Sequence, residues 1–295
     1  WADFETDLFM LNVPRAWIYA YADPESLMNN YDKSMTGAAE WLGYPAAYRT
    51  KKVAFLGVDL HIKASAYGVG YPQVNNLYNA GQDYGGNHNH WMLRDPAPGW
   101  ATCYHELGHA QLMSMYPGER EAINNFMYTF VAHTQFGVKF DKAFDDSMGV
   151  SQEPTYSPDG AASHWMVTQN FRAGKEMDHS STEFDQMRYQ HRGYAKYADI
   201  VRLFGWEAFT SFYNQENIDF NAGLIKPNGI NMSDKWPGTV GPNGSDGRTL
   251  RFSVAAGFDL RPLIHFWGVL PSNEAALATK VQNAGLPPSE QIRCL

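Results

Sequence analysis

Between Trp100 and Phe136 the chain carries two helical patterns separated by Pro117-Gly118, and the first contains Tyr104-His105-Glu106-Leu107-Gly108-His109-Ala110. Apolar periodicity predicts helices over Thr102–Met115 and Glu119–Phe136, with a break between them that lets the second fold back beside the first. Residues four apart on a helix share a face, so the imidazoles of His105 and His109 are directed at one point while Glu106 leans in beside it. Whatever fold the rest of the chain adopts has to accommodate that pairing.

The donor types suit zinc, which takes neutral imidazole nitrogens at about 2.0–2.1 Å and keeps one position open for water in catalytic centres. Such an ion lowers the pKa of the water toward about 7 and polarises a scissile carbonyl. Glu106 is placed to take the water's proton and pass it to a leaving amine. A third ligand is required. The metzincin continuation places Gly and then His at three-residue steps after the second His, but Leu112 and Met115 stand there. A two-His, one-Glu arrangement is left. Glu121, on the second helix, is the expected third ligand; Glu119 competes but sits nearer the turn, where Arg120 or solvent satisfies it. Asn125, one turn along the same face, either binds a substrate group or the ligand carboxylate, or is a plain solvated amide.

Composition narrows the partners. A formal charge of -8 without any basic run argues against nucleic-acid or anionic-membrane surfaces. The longest clean apolar stretch, Val53–Val58, is far short of the roughly 20 residues that span a bilayer, so no membrane insertion is expected. The chain opens Trp-Ala-Asp rather than with Met and a charged segment, so any signal peptide or upstream domain is expected to lie before it. Cys103 and Cys294 lie almost a whole chain apart and define neither a disulfide framework nor a Cys-based zinc site; two independent thiols are expected. Aromatic residues make up 15% of the chain, a richness common in proteins that stack on sugar rings, although most rings are expected in the core.

Along the chain, Leu8–Val13 reads as a strand stopped by Pro14, with Trp17–Tyr21 continuing the edge. A helix follows Pro24, carried by Leu27, Tyr31, Met35, Ala38 and Leu42 and ended by Gly43 and Pro45. Val53–Ile62 reads as a central strand, Tyr67–Val74 as an edge strand or extended loop, and Asn75–Gly99 as a long loop of the kind that is usually functional. Helices are expected over Glu183–Leu203, Trp206–Asn214, Thr249–Phe266 and Ser272–Ala284, with Pro227–Arg248 as a loop. No internal repeat or low-complexity linker appears. The picture is an α+β fold in one catalytic domain spanning residues 1–295. Its mixed α/β N-terminal lobe, about 1–116, ends in the zinc helix, and a mainly helical C-terminal lobe covers 117–295.

These residues resemble the M60-like, or enhancin-like, peptidases, many of which are secreted bacterial proteases that target mucins. The family's motif is His-Glu-x-x-His followed by a Glu that opens a helix carrying an Asn four residues on, and here that run is Glu121-Ala-Ile-Asn-Asn125. Further similarity lies in Val58–Pro72, which ends in Gly-Tyr-Pro with Val69 where a small residue is expected. It also lies in Trp100, Leu203–Phe209, Asp259–Leu263, Phe266–Gly268 and the opening Trp1–Glu5. The resemblance implies a gluzincin-type zinc endopeptidase with the metal cleft between its lobes, secreted or at the cell surface, cutting beside O-glycosylated Ser or Thr. A monomer is expected, with an O-glycosylated protein or mucin as its substrate partner.

Several other residues are candidates. Edge strands beside the zinc helix in this class pair with extended substrate backbone, so Tyr67, Gly68, Gly70 and Tyr71 are candidate substrate-binding positions, a plain sheet edge being the alternative. An oxyanion donor is expected to supplement the metal, and His133, His179, Tyr189 and His191 all qualify. Trp91, Trp165 and Trp236 are candidates for sugar stacking or for the core. His88 and His90 read as a solvated loop. Two other functions compete: a zinc peptidase acting on non-glycosylated peptides, and a catalytically idle glycan-binding module. No terminus-binding clamp stands out for the first, and the intact motif speaks against the second.

Overall fold

The computed structural model describes residues 1–18, 21–45, 54–59, 66–67, 73–75, 93, 101–111, 116, 123–147, 158–174, 194–222 and 244–293. Those residues form a mixed α/β fold, mostly helical with one small sheet. The chain divides into two compact units. The first comprises Trp1–Leu112 with Met127–Ser151, and the second Met113–Phe126 with Gln152–Leu295.

The first unit holds the sheet. Strands β1 (Ala2–Glu5), β2 (Phe9–Val13), β3 (Ala54–Asp59), β4 (Ala66–Tyr67) and β5 (Gln73–Asn75) lie in the order β1-β2-β3-β5-β4. β1 and β2 are antiparallel, with Phe4 opposite Leu11. β2–β3 and β3–β5 are parallel, and β4 returns antiparallel on β5. β2 shows why it is a strand: Phe9, Leu11 and Val13 are fully buried and alternate with the half-buried Met10 and Asn12. The parallel β2–β3 pair demands a crossover, and helix α1 (Pro24–Trp41) lies in that connection. Asp23 caps it by accepting from the Ser26 amide at 2.9 Å, Pro24 occupies the first turn, and Gly43 leaves it at φ 67°. Tyr31 of α1 stacks on Phe9 of β2 with centroids 4.1 Å apart. Helices α2 (Ala101–Gln111), α3 (Ile123–Phe136, from Met127 onward in this unit) and α4 (Phe140–Ser147) complete the unit. α1 and α3 approach so closely at Gly37 that a Cβ there would lie 2.6 Å from Gln135 Cγ.

The second unit is helical. Its helices are α5 (Pro158–Met166), α6 (Gln169–Arg172), α7 (Ala195–Phe204), α8 (Glu207–Asn221), α9 (Gly244–Ala256), α10 (Arg261–Phe266), α11 (Glu274–Asn283) and α12 (Glu290–Arg293). Its core is aromatic. Phe126, at the start of α3, packs on Tyr197, Trp206 and Phe209, and Phe212 stacks on Phe252 with centroids 3.7 Å apart. Charges are buried beside these rings: Glu216 meets Arg248 at 3.6 Å and Arg251 at 3.2 Å, and the Arg248 guanidinium lies 4.6 Å from the Phe212 centroid. Asp246 accepts from the amides of Ser272 and Asn273, and Asn273 in turn caps α11.

The sequence-based expectations fare unevenly. β2, α1, a central β3 and α11 appear where expected. Trp17 does not continue the strand: Arg15–Trp17 is a short 3-10 turn, because Pro14 ends the ladder and Ile18 closes back on the Arg15 carbonyl at 3.2 Å. The expected loop up to Arg248 gives way from Gly244 to α9, and the single helix expected over Thr249–Phe266 is two helices parted by Gly257 at φ 74°. β1, α4, α5, α6 and α12 were not anticipated. Asn75, expected to open the long loop, instead ends β5, and residues 76–92, 94–99, 183–193 and 223–243 lie outside the described residues.

One buried acid in the second unit makes stability depend on pH. The Asp199 carboxylate, 8% exposed, accepts from Trp267 Nε1 at 2.8 Å. Burial pushes its pKa from 3.8 up to about 6, against the Trp267 bond and the Arg202 charge, which act to lower it, while Asp159 adds a small upward push. The folded state therefore holds a proton that the unfolded chain releases, so stability falls as pH rises between about 4 and 6 and stays lower above that window. The shift corresponds to roughly 2–3 kcal/mol. Asp199→Asn keeps the acceptor for Trp267 without the charge, and is expected to raise the thermal midpoint at pH 7.5 and to flatten its fall between pH 4 and 6. A variant that melts below the parent at pH 7.5 contradicts this account.

Candidate metal centre

Helix α2 has two unlike faces. Cys103, Tyr104 and Leu107 are buried at 1%, 1% and 2% exposure, whereas His105 and His109 are half-buried. At 100° per residue the first three lie on the side of the helix away from the two imidazoles. The imidazoles converge: their Nε2 atoms are 3.1 Å apart, with ring centroids 4.7 Å apart and planes at 87°. Two nitrogens each about 2.0–2.1 Å from one tetrahedral ion stand about 3.3 Å apart, so the pair is within about 0.2 Å of what one zinc asks of two ligands. Glu106, next in the chain, is 8% exposed.

The back of α2 is held by α1 and α3. The Tyr104 hydroxyl donates to Ser34 Oγ at 2.7 Å, and Ser34 donates to the Asn30 carbonyl at 2.6 Å. Cys103 Sγ lies 3.7 Å from the Tyr31 hydroxyl, and the Tyr104 and Tyr128 rings meet edge-on at 5.4 Å. Burial raises the Tyr31, Tyr104 and Tyr128 phenols well above their ordinary value and pushes the Cys103 thiol up to about 12. Cys103 forms no disulfide; Cys294 lies outside the described residues.

Of the residues expected at the site, the structure brings together His105 and His109, with Glu106 beside them. Among the described residues no group of three or more His, Cys, Asp or Glu side chains gathers as a metal site. Glu121 and its competitor Glu119 lie outside those residues, as do Gly68, Gly70 and Tyr71. Tyr67 belongs to β4, at the edge of the sheet, opposite Gln73. Asn125 is 5% exposed, so it is no solvated amide. His133 is tied to the end of α3: its Nδ1 donates to the Val138 carbonyl at 2.8 Å and its ring meets Phe140. Trp165 is a core residue, fully buried with its Nε1 donating to the Phe266 carbonyl at 2.5 Å, and is not available to stack on a sugar. His88, His90, Trp91, His179, Tyr189, His191 and Trp236 lie outside the described residues. Sequence reasoning missed Ser34 and the inward role of Tyr104. Ser34 sits mid-helix 70 positions before its partner, and a lone helical serine carries no signal of what it bonds.

Comparison with known proteins adds the fold. The whole chain superposes on the crystal structure of a functionally unknown conserved protein from Bacillus anthracis, with a TM-score of 0.65 and 14% identity over 98% of this chain and 52% of that one. A metallopeptidase from Bacteroides thetaiotaomicron matches with a TM-score of 0.58 and 14% identity over 96% of this chain and 46% of that one. The chain shares its fold with a metallopeptidase. A further metallopeptidase, solved in complex with Tn antigen, matches with a TM-score of 0.56 and 14% identity over 96% of this chain and 51% of that one. In sequence the chain is 24% identical over 281 residues to TRPM8 channel-associated factor 2 of Bos taurus, covering 94% of this chain and 26% of that protein. The chain thus spans about a quarter of that relative and about half of the solved structures. No protein-family model matches it. Among the described residues no helix is long and apolar enough to cross a membrane.

The packing behind α2 is directly testable. With Cys103 1% exposed against Tyr31, iodoacetamide at pH 8 is expected to leave it unmodified in the native protein and to alkylate it fully in denaturant, as read by peptide mass spectrometry. Labelling at equal rates in both states would contradict the packing described.

Proposed function

We propose that this chain is the catalytic domain of a secreted or cell-surface zinc metalloendopeptidase that hydrolyses peptide bonds of O-glycosylated, mucin-type proteins, with its 295 residues acting as one catalytic unit. The observation that carries the reading is the convergence of His105 and His109 at 3.1 Å on α2 with Glu106 beside them. His105, His109 and Glu121 hold the metal. A bound zinc ion supplies Lewis acidity, polarising the scissile carbonyl and making a water molecule acidic near neutral pH.

The chain's own residues do the rest. Glu106 takes a proton from the attacking water and returns it to the departing nitrogen, so one carboxylate serves as base and then as acid. At 8% exposure that carboxylate is largely shielded from bulk water. Among the described residues β4 ends the sheet, which supports the reading that Tyr67, with Gly68, Gly70 and Tyr71 after it in the chain, holds an extended substrate by main-chain bonds. Asn125 is retained as a substrate or ligand-carboxylate contact on the strength of its place one turn after Glu121. The preference for O-glycosylated substrate is supported by the resemblance to M60-like peptidases and by the neighbour solved with Tn antigen.

Two expected outcomes test this. Wild-type protein is expected to cut an O-glycosylated mucin next to sugar-bearing Ser or Thr and to spare the deglycosylated mucin, and a chelator is expected to abolish the cutting. Equal cleavage of both would keep the peptidase and remove the glycan from its specificity. Glu106→Gln is expected to retain zinc, measured by elemental analysis, and to lose at least about 100-fold in kcat. Retained cleavage in that variant would remove Glu106 from the chemistry.

A further inference from the structure

His105 and His109 ride on a rigid helix, so the position of both imidazoles is set by how α2 is rolled about its axis. An imidazole Nε2 lies roughly 6 Å from that axis, and a roll of about 10° carries it about 1 Å. Metal–ligand distances tolerate about 0.2 Å. The two histidines move together, so a roll leaves their mutual spacing intact and shifts the pair against any ligand carried on another element. The contacts of Leu107 and the rings around it are non-directional, so they define the roll less sharply than a hydrogen bond does. A hydrogen bond is directional, and the short one on the buried face of α2 is that of Tyr104, immediately before His105, to Ser34 of α1 at 2.7 Å, beside the longer and weaker contact of Cys103 Sγ with the Tyr31 hydroxyl at 3.7 Å.

The Ser34 hydroxyl is itself fixed. It is fully buried and donates its only proton to the Asn30 carbonyl one turn back, at 2.6 Å. It therefore meets Tyr104 purely as an acceptor, and the phenol must come to it. α1 is in turn anchored to the sheet by the stack of Tyr31 on Phe9, at 4.1 Å. A continuous path runs from β2 through α1 to the residue preceding the first histidine.

We infer that the Tyr104–Ser34 hydrogen bond is a positioning contact that sets the roll of α2 and with it the metal affinity of His105 and His109. The inference rests on the proposed metal role of those histidines. Neither Tyr104 nor Ser34 touches substrate or metal; both act through the helix.

The test is the zinc dissociation constant of the whole chain, by competition against a chromophoric chelator, for wild type, Ser34→Ala, Tyr104→Phe and the double variant. All are measured at least 20 °C below each apoprotein's melting midpoint, so that loss of fold contributes nothing. Ser34→Ala leaves a buried phenol without its acceptor, so the phenol must turn elsewhere and take α2 with it. That variant is expected to weaken zinc binding about tenfold. Tyr104→Phe leaves Ser34 bonded to Asn30 and is expected to cost less. The double variant removes the stranded phenol and is expected to bind zinc no worse than Ser34→Ala alone. A merely structural contact would lower the melting midpoint and leave zinc binding alone, so both single variants binding within twofold of wild type would overturn the inference while the metal reading stands. Wild type binding no zinc would overturn both.

Discussion

Two imidazole nitrogens held 3.1 Å apart impose a condition on everything around them. Pointed at each other with both lone pairs bare, or with both protons on, they repel; the pair is at ease only sharing one proton or meeting one cation. The backbone that holds them there has to be stiff, and an α-helix is stiff only where its other face is packed. α2 meets this with Cys103, Tyr104 and Leu107 buried and one turn of helix carrying both histidines. The sheet, α1 and the later part of α3 can be read as the support for that short helix. β2 anchors α1 through Phe9 and Tyr31, α1 receives Tyr104 through Ser34, and α3 presents Tyr128 to the same ring.

The second unit solves a different problem by itself. Its aromatic core buries large rings together with Arg248 and Glu216, each 1% exposed. Desolvating a guanidinium is costly, and the offset comes from Glu216 and from the faces of Tyr116, Phe212 and Phe252, whose centroids lie 4.6–5.1 Å from the Arg248 carbon. Tyr116 also shares a hydrogen bond with Thr249 at 3.0 Å and lies 5.5 Å from the Lys196 ammonium. The aromatic richness that suggested sugar stacking is thus spent, at Trp165, Phe212 and Trp267, on packing.

That difference between the units explains what was legible in the sequence. In the first, burial follows hydrophobicity: Phe9, Leu11 and Val13 alternate, and Leu27, Tyr31, Met35 and Ala38 recur at helical spacing, so periodicity located β2 and α1. In α9 the buried side chains are Asp246, Arg248, Thr249, Phe252 and Ser253, so charge and hydroxyl hide the period, and Gly244 and Gly247 imitate a loop. α4 is short and rich in Asp, and only Ala143, Phe144 and Ser147 face inward. The pairing of His105 with His109 was readable because it depends on helix geometry alone. The Ser34–Tyr104 bond was not, because it depends on how two distant helices are set against each other.

A fold shared at 14% identity with a metallopeptidase and with a protein of unknown function fixes the backbone path and leaves the chemistry to individual side chains. Here the side chains argue for use. A helix that only had to pack would do better with apolar or small residues at positions 105, 106 and 109. Instead α2 carries two half-buried imidazoles and a carboxylate at 8% exposure, each of which loses hydration when the helix packs. An idle sugar-binding module has no need of converging nitrogens or of an acid next to them. The proposed centre, which binds a cation and moves a proton, uses both, and that use is the counterpart of the hydration these side chains give up.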